Sequence, residues 1–177
     1  MKLSIKRKIF YLIYNIFAKQ LPRTYMPYSL GSKYIRYFFV KNFINKCGKN
    51  VKIQTGVLLS PFIEIGDNCE INENVRIRAN VKIGNDVLIA PNVQLLSINH
   101  SFDMINIPMN LQGETKGFII IENDIWIGTG VIVLPNTTIK NGTILGAGSI
   151  VTKDTEEYSI NAGNPSKIIE KRLKDAR

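Results

Sequence analysis

From Val51 onward the chain keeps a six-residue beat of apolar and polar positions: VKIQTG, VLLSPF, IEIGDN, CEINEN, VRIRAN, VKIGND, VLIAPN, VQLLSI, and after a gap IIIEND, IWIGTG, VIVLPN, TTIKNG, TILGAG, SIVTKD. The third position is aliphatic every time, at Ile53, Leu59, Ile65, Ile71, Ile77, Ile83, Ile89, Leu95, Ile121, Ile127, Val133, Ile139, Leu145 and Val151. Plain strand alternation imposes no turn every six residues, and a helix does not hold period six, so the pattern predicts short strands joined by tight corners. Three such strands close an 18-residue triangular coil, with the third position inward and the first, often small or β-branched, at the corner. Gly66, Gly84, Gly128 and Gly146 follow an inward aliphatic and are expected where the chain turns without crowding its neighbour. Fourteen repeats make four coils and a partial one, an all-β prism about 20 Å long at about 4.8 Å per coil. A β-sandwich would need longer strands and less regular turns.

Ahead of the repeats, Lys2 to Gln20 carries Leu3, Ile5, Ile9, Phe10, Leu12, Ile13, Ile16 and Phe17 at mostly three- and four-residue spacings, which predicts an amphipathic helix stopped by Pro22. Its basic start and apolar continuation imitate a signal peptide, but Tyr14, Asn15 and Lys19 interrupt it and no small-x-small site follows. A second helix is expected from about Ser32 to Lys46, with Ser32 as N-cap and Gly48 just past its end. The chain thus divides into a helical, basic segment 1–49, a repeat body 50–155 with a loop insertion at about 99–118, and a tail 156–177 ending in a short helix. Eleven of the 16 aromatics precede Asn45, where they either pack the helices onto the body or meet a membrane or ligand.

Composition narrows the classes. With 177 residues, 45% hydrophobic and 21% charged, the chain can bury the core of one compact domain. Cys47 and Cys69 make no disulfide framework, and one histidine without a CxxC pair makes no structural zinc site, so no metal and a reducing, cytoplasmic compartment are expected. No apolar run approaches the roughly 20 residues of a spanning helix. Charge is lopsided. Residues 1–63 hold 12 Lys or Arg and no acid, whereas residues 64–177 hold 11 basic and 14 acidic residues, together the net +9. Such a block suits anionic lipid or an acidic sugar, or is plain solvated surface; nucleic acid is not expected, because no recognised binding motif accompanies it.

The beat fails between Ile98 and Ile119: Val93 to Ile119 is 26 residues, four repeats plus two. A loop that long in so regular a stack is usually functional. It opens with NHSFD and holds His100, the only histidine of the chain. A lone histidine is often a surface or packing residue. At the one interruption of the stack it is a candidate general base, since an imidazole with an ordinary pKa of about 6.5 accepts protons near neutrality.

The repeats from about Gly48 to Arg172, and within them VKIGNDVLIAPNVQLLSINH, IWIGTGVIVLPNTTI, LGAGSIVTKD and AGNPSKII, resemble the left-handed β-helix hexapeptide-repeat acyltransferases, in the galactoside, maltose and capsular-sugar O-acetyltransferase branch. That resemblance implies the left-handed coil, a homotrimer, and direct transfer from acetyl-coenzyme A to a sugar hydroxyl of a surface polysaccharide or its precursor. It implies His100 as base and places Asn72, in INEN of an earlier coil, where the sugar acetyltransferases carry an active-site asparagine, while Asp103 is either an orienter of the imidazole or solvated loop charge. For the cofactor it implies Trp126 by the pantetheine arm, then Gly128, Ala147, Thr152, Lys153 and Lys167, with Arg172 as a second phosphate ligand or as solvated charge. Relatives often carry alanine where Ser166 stands. An N-acetyltransferase on an amino sugar is the near alternative; a non-catalytic lipid- or glycan-binding module is a different class. A zinc enzyme of the carbonic anhydrase type needs three histidines per site.

Overall fold

The computed structural model of the chain describes residues 2–172. Each of the fourteen repeats supplies one parallel strand of a three-faced solenoid. Strands pair 18 residues apart on every face, as in Ile63 with Val81, Lys52 with Glu70 and Leu58 with Arg76. The first face runs Lys46–Cys47, Ile63–Ile65, Val81–Ile83, Ile119–Ile121, Thr137–Ile139. The second runs Lys52–Ile53, Glu70–Ile71, Val87–Ile89, Ile125–Ile127, Ile144–Leu145, Ser159–Ala162. The third runs Leu58–Leu59, Arg76–Ile77, Gln94–Leu95, Ile132–Val133, Ile150–Val151. Of these face strands, two lie outside the repeats, Lys46–Cys47 and Ser159–Ala162. Across the insertion Val81 pairs with Ile119, 38 residues on, so 20 residues loop out while the ladder stays in step.

All fourteen third positions are buried, and so is every first position, from Val51 and Val57 to Thr143 and Ser149. The first position is therefore core as well as corner. The fourth-position glycines are small for a different reason than turning. A Cβ on Gly66 would lie 2.4 Å from the carbonyl oxygen of Gly84 in the next coil. The turn itself sits at the sixth position, where Asn68, Asn74, Asn80, Asp86, Asn92, Asp124 and Asn136 take positive φ. Asn and Asp tolerate that left-handed conformation better than other side-chain-bearing residues. They also bond from coil to coil: Asn50 Nδ2 donates to Asn68 Oδ1 at 3.2 Å, and Asn68 Nδ2 to Asp86 Oδ1 at 2.9 Å.

The two ends close differently. At the first, α1 (Ile5–Ile16), a 3-10 turn (Ala18–Gln20) and α2 (Ser32–Phe43) cover the aliphatic core, which continues into Tyr14, Ala18, Val40 and Phe43. Aromatic pairs join the helices, Phe10 with Phe38 and Phe39, and Phe43 with Tyr11 and Tyr14, so packing is what these rings do. The buried Tyr14 hydroxyl donates to Val57 O at 2.9 Å; burial pushes its phenol well above the ordinary range, which keeps it a neutral donor. Arg36, also buried, donates to carbonyls of Ile53, Leu21 and Pro22 and to Ser32 Oγ, joining α2, the linker and the first coil.

Both helices are shorter than their apolar pattern predicts, since α1 starts at Ile5 after Ser4 caps it, and the chain is already extended at Ile44. Gly31, at φ +71°, is the N-cap of α2; Ser32 is its first residue, its hydroxyl taken by Arg36. At the far end the inward residues turn polar, with Thr143, Ser149, Ser159 and Asn161 buried and hydrogen-bonded. The helix expected in the tail is instead a strand, Lys167–Lys171, antiparallel to Ser159–Ala162; residues 173–177 lie outside the described part. The strand extends the edge of the second face and takes up its free backbone groups. Among the described residues no helix is long and apolar enough to cross a membrane.

Candidate active site

The insertion leaves the corner between the third and first faces as a hairpin, Ile98–His100 against Glu114–Lys116. Its neck is held by the prism: Gly117 N donates to Ser97 O at 2.8 Å, and the buried Ser97 hydroxyl donates to Ala79 O. Beyond the neck, Gln112 ties the loop to itself, accepting from Met104 N at 3.1 Å and donating to Met104 O and Ile107 O, both at 2.7 Å. No side chain from Asn99 to Lys116 is buried, and Phe102, Met104, Ile105, Met109 and Leu111 are all exposed.

His100 ends the first hairpin strand with its ring exposed. Asp103 makes no hydrogen bond to it among the described residues. The carboxylate facing it across the strand pair is Glu114, which the register sets directly opposite, where Cβ atoms lie about 4.5–5.5 Å apart. Reading the sequence missed Glu114, because nothing local announces the register of a twenty-residue insertion.

The other predicted residues fall into groups by corner. Thr152 and Lys153 are exposed at the same corner as the hairpin, two coils on. Asn72, Gly128 and Ala147 occupy the corner between the second and third faces, and Trp126, 54% exposed, stands on the second face next to it, between Leu88 and Ile144 in register. Asn72 Nδ2 donates to Ile89 O at 2.9 Å, so that side chain is held in place. Gly128 is buried, and its N–H donates to Leu145 O at 2.8 Å; a Cβ there would lie 2.7 Å from Ala147 N. Its smallness serves coil stacking. Lys167 begins the antiparallel strand and is exposed. Arg172 is already engaged, with Nη1 2.9 Å from Asp124 Oδ2 and 3.3 Å from Gly142 O. One chain therefore does not bring His100 together with Asn72 or Trp126.

Neither cysteine offers a nucleophile. Burial pushes the Cys47 thiol up to about 11 and raises that of Cys69, whose Sγ is 3.2 Å from Gly84 O inside the prism. Among the described residues no group of three His, Cys, Asp or Glu is arranged to hold a metal.

Parts of the chain are similar to known proteins. The bacterial transferase hexapeptide family (six repeats) matches residues 63–97. Over 83 residues the chain is 41% identical to galactoside O-acetyltransferase of Escherichia coli (strain K12), covering 46% of this chain and 39% of that protein. Over 59 residues it is 46% identical to a chloramphenicol acetyltransferase of Agrobacterium fabrum, covering 33% and 28%. The matches thus span well under half the length of these curated relatives. A solved galactoside acetyltransferase in complex with coenzyme A aligns with a TM-score of 0.76 and 28% identity, over 98% of this chain and 86% of that one.

Proposed function

This chain has the left-handed β-helix fold of the hexapeptide-repeat acetyltransferases, and on that premise we propose that it transfers an acetyl group from acetyl-coenzyme A to a sugar hydroxyl of a surface polysaccharide or its precursor. Its working form is a homotrimer with each site between two protomers. The observation that carries this is the division of the site residues between two corners. His100, Thr152 and Lys153 lie at one corner of the prism and Asn72, Trp126 and Ala147 at or beside another, so it takes a second prism to bring the two sets together. The exposed apolar side chains of the hairpin are the kind of surface that an interface covers.

In that site the His100 imidazole takes the proton of the acceptor hydroxyl as its oxygen attacks the thioester carbonyl. The C–O bond forms, the C–S bond breaks, and the thiolate leaves with the proton from His100, giving an ester and free coenzyme A. Glu114 stabilises the imidazolium and orients the ring. Backbone N–H groups meet the oxyanion. Trp126 lies along the pantetheine, and Lys153 and Lys167 meet the phosphates; the ion pair to Asp124 takes Arg172 out of that set. Burial holds both thiols protonated, which argues against an acyl-cysteine and fits direct transfer.

The test is a hybrid. His100→Ala chains and Trp126→Ala chains, each depleted in activity, are mixed and reassembled; recovered thiol release means that the residues meet across an interface, and none means that they do not. A product cleaved by mild alkali is an ester, whereas survival identifies transfer to an amine. Absence of turnover with any sugar leaves a binding module.

The same reading extends to location at the inner face of a membrane. Ile5, Ile9, Leu12 and Ile16 of α1, spaced i, i+4, i+7, i+11, form an exposed stripe beside Lys2, Lys6 and Lys8, while Tyr14 and Ala18 on the opposite side cap the prism. Capping uses one face of the helix and leaves the other for anionic lipid. Replacing Ile9, Leu12 and Ile16 by serine should abolish co-sedimentation with phosphatidylglycerol vesicles and leave melting temperature unchanged. Wild-type protein that ignores those vesicles overturns this part.

A further inference from the structure

The arginines of the chain are treated very unequally. Arg7 donates to the carbonyls of Phe43 and Pro61, Arg23 pairs with Glu73, Arg36 is spent on carbonyls, and Arg172 pairs with Asp124. Among the described arginines, only the side chains of Arg76 and Arg78 have no hydrogen-bond or ion-pair partner. They flank the buried Ile77: Arg76 stands on the third face and Arg78 just past the strand at its corner, and both are exposed. The register neighbours of Arg76 are Leu58 and Gln94, neither of them acidic.

Both line an open groove of about 410 Å³ to which α1 contributes Tyr11 and Asn15 and the prism Ser60 and Ile98. No acidic residue lines it. Ile98 is two residues before His100 on the same hairpin strand, which ties the groove to the base. Along the prism axis the arginines belong to the second coil and the hairpin to the third, whereas Trp126, Ala147, Lys153 and Lys167 follow in the fourth and later coils. The groove is thus on the side of His100 away from the proposed cofactor residues.

We infer that this groove binds the acceptor through a negative charge, a carboxylate or a phosphate gripped by Arg76 and Arg78. The inference rests on the acetyl-transfer reading for the word acceptor; the anion site itself does not. Two guanidiniums lining one groove suit an oxyanion with several acceptor oxygens, and no carboxylate in that lining competes for them. A neutral sugar would leave both cations facing an uncharged ligand.

The experiment titrates glucose, glucuronate and glucose 1-phosphate onto the full chain without acetyl-coenzyme A, following binding by ligand-observed NMR, and repeats it with Arg76→Gln/Arg78→Gln. Wild type is expected to bind at least one anionic probe roughly tenfold or more tightly than glucose, with a preference that weakens as salt rises. Glucuronate or glucose 1-phosphate as the tighter probe identifies carboxylate or phosphate. The double variant should lose the preference at unchanged melting temperature and, in steady state, raise KM for the anionic acceptor while kcat and KM for acetyl-coenzyme A hold. Equal binding of all three sugars overturns the inference, as does a variant that keeps the preference, or a rise confined to KM for acetyl-coenzyme A. Charge-selective binding without transfer upholds the anion site and defeats the acetyl-transfer reading.

Discussion

In the coils every first and third position is buried, whereas from Asn99 to Lys116 none is, although that hairpin holds Phe102, Met104, Ile105, Met109 and Leu111. Coil residues are chosen by the coil above and below. Hairpin residues bond to one another, and the exposed apolar side chains among them need a surface elsewhere. The regular region holds the shape, and the irregular one carries the proposed base; a residue's effect on stability and its effect on turnover should therefore separate by region.

The sharpest break of that contrast is His100→Ala. It is expected to lower acetyl transfer by about 10²–10⁴-fold, the range for loss of a general base, with KM for acetyl-coenzyme A and melting temperature unchanged. Cys69→Ser, inside the prism, should keep its activity. Turnover near wild type in the histidine variant would leave the hairpin a structural ornament.

Next comes the core. Ile127→Ala opens a hole among fully buried side chains and should cost about 2–5 kcal/mol in denaturant unfolding, whereas Ile105→Ser in the hairpin should leave unfolding unchanged and loosen self-association in sedimentation. Equal losses from the two would erase the distinction.

A smaller contrast concerns glycine. Gly66→Ala drives a methyl into the backbone of the next coil and should destabilise by about 1–3 kcal/mol. Gly113→Ala meets nothing within 4 Å and bears only the strain of φ +82°, about 1 kcal/mol. Thermal melts of the two variants give the comparison.

The smallest effect sharpens the hairpin itself. Glu114→Gln should lower kcat by about tenfold with little change in KM, by loosening the hold on the imidazolium. Asp103→Asn should not. A kcat unmoved by Glu114→Gln would return that residue to the solvent.

How much could be read in advance varied with the range of the interactions. The aliphatic third positions, the length of the insertion and the resemblance to hexapeptide-repeat acetyltransferases were legible, because each coil meets only copies of its own pattern. The sixth-position Asn and Asp turns were visible as letters and passed over in favour of the glycines, whose closeness to the next coil belongs to stacking. Sorting the site residues by corner required counting in coils of 18 rather than repeats of six. By that count Asn72 and Gly128 share one phase, and Arg78 and Thr152 another, once the 20 looped-out residues are removed.

By itself, the amino-acid sequence determined the solenoid, its core and the point at which it is interrupted, since period six is a local property and every inward side chain meets a neighbour of the same kind. Tertiary structure alone decided that α1 hides one face and bares another, that the tail doubles back as a strand, that Glu114 stands across from His100, and that Arg76 and Arg78 line one groove without partners. Each of these depends on contacts between segments far apart in the chain, whose register and packing no local pattern of residues encodes.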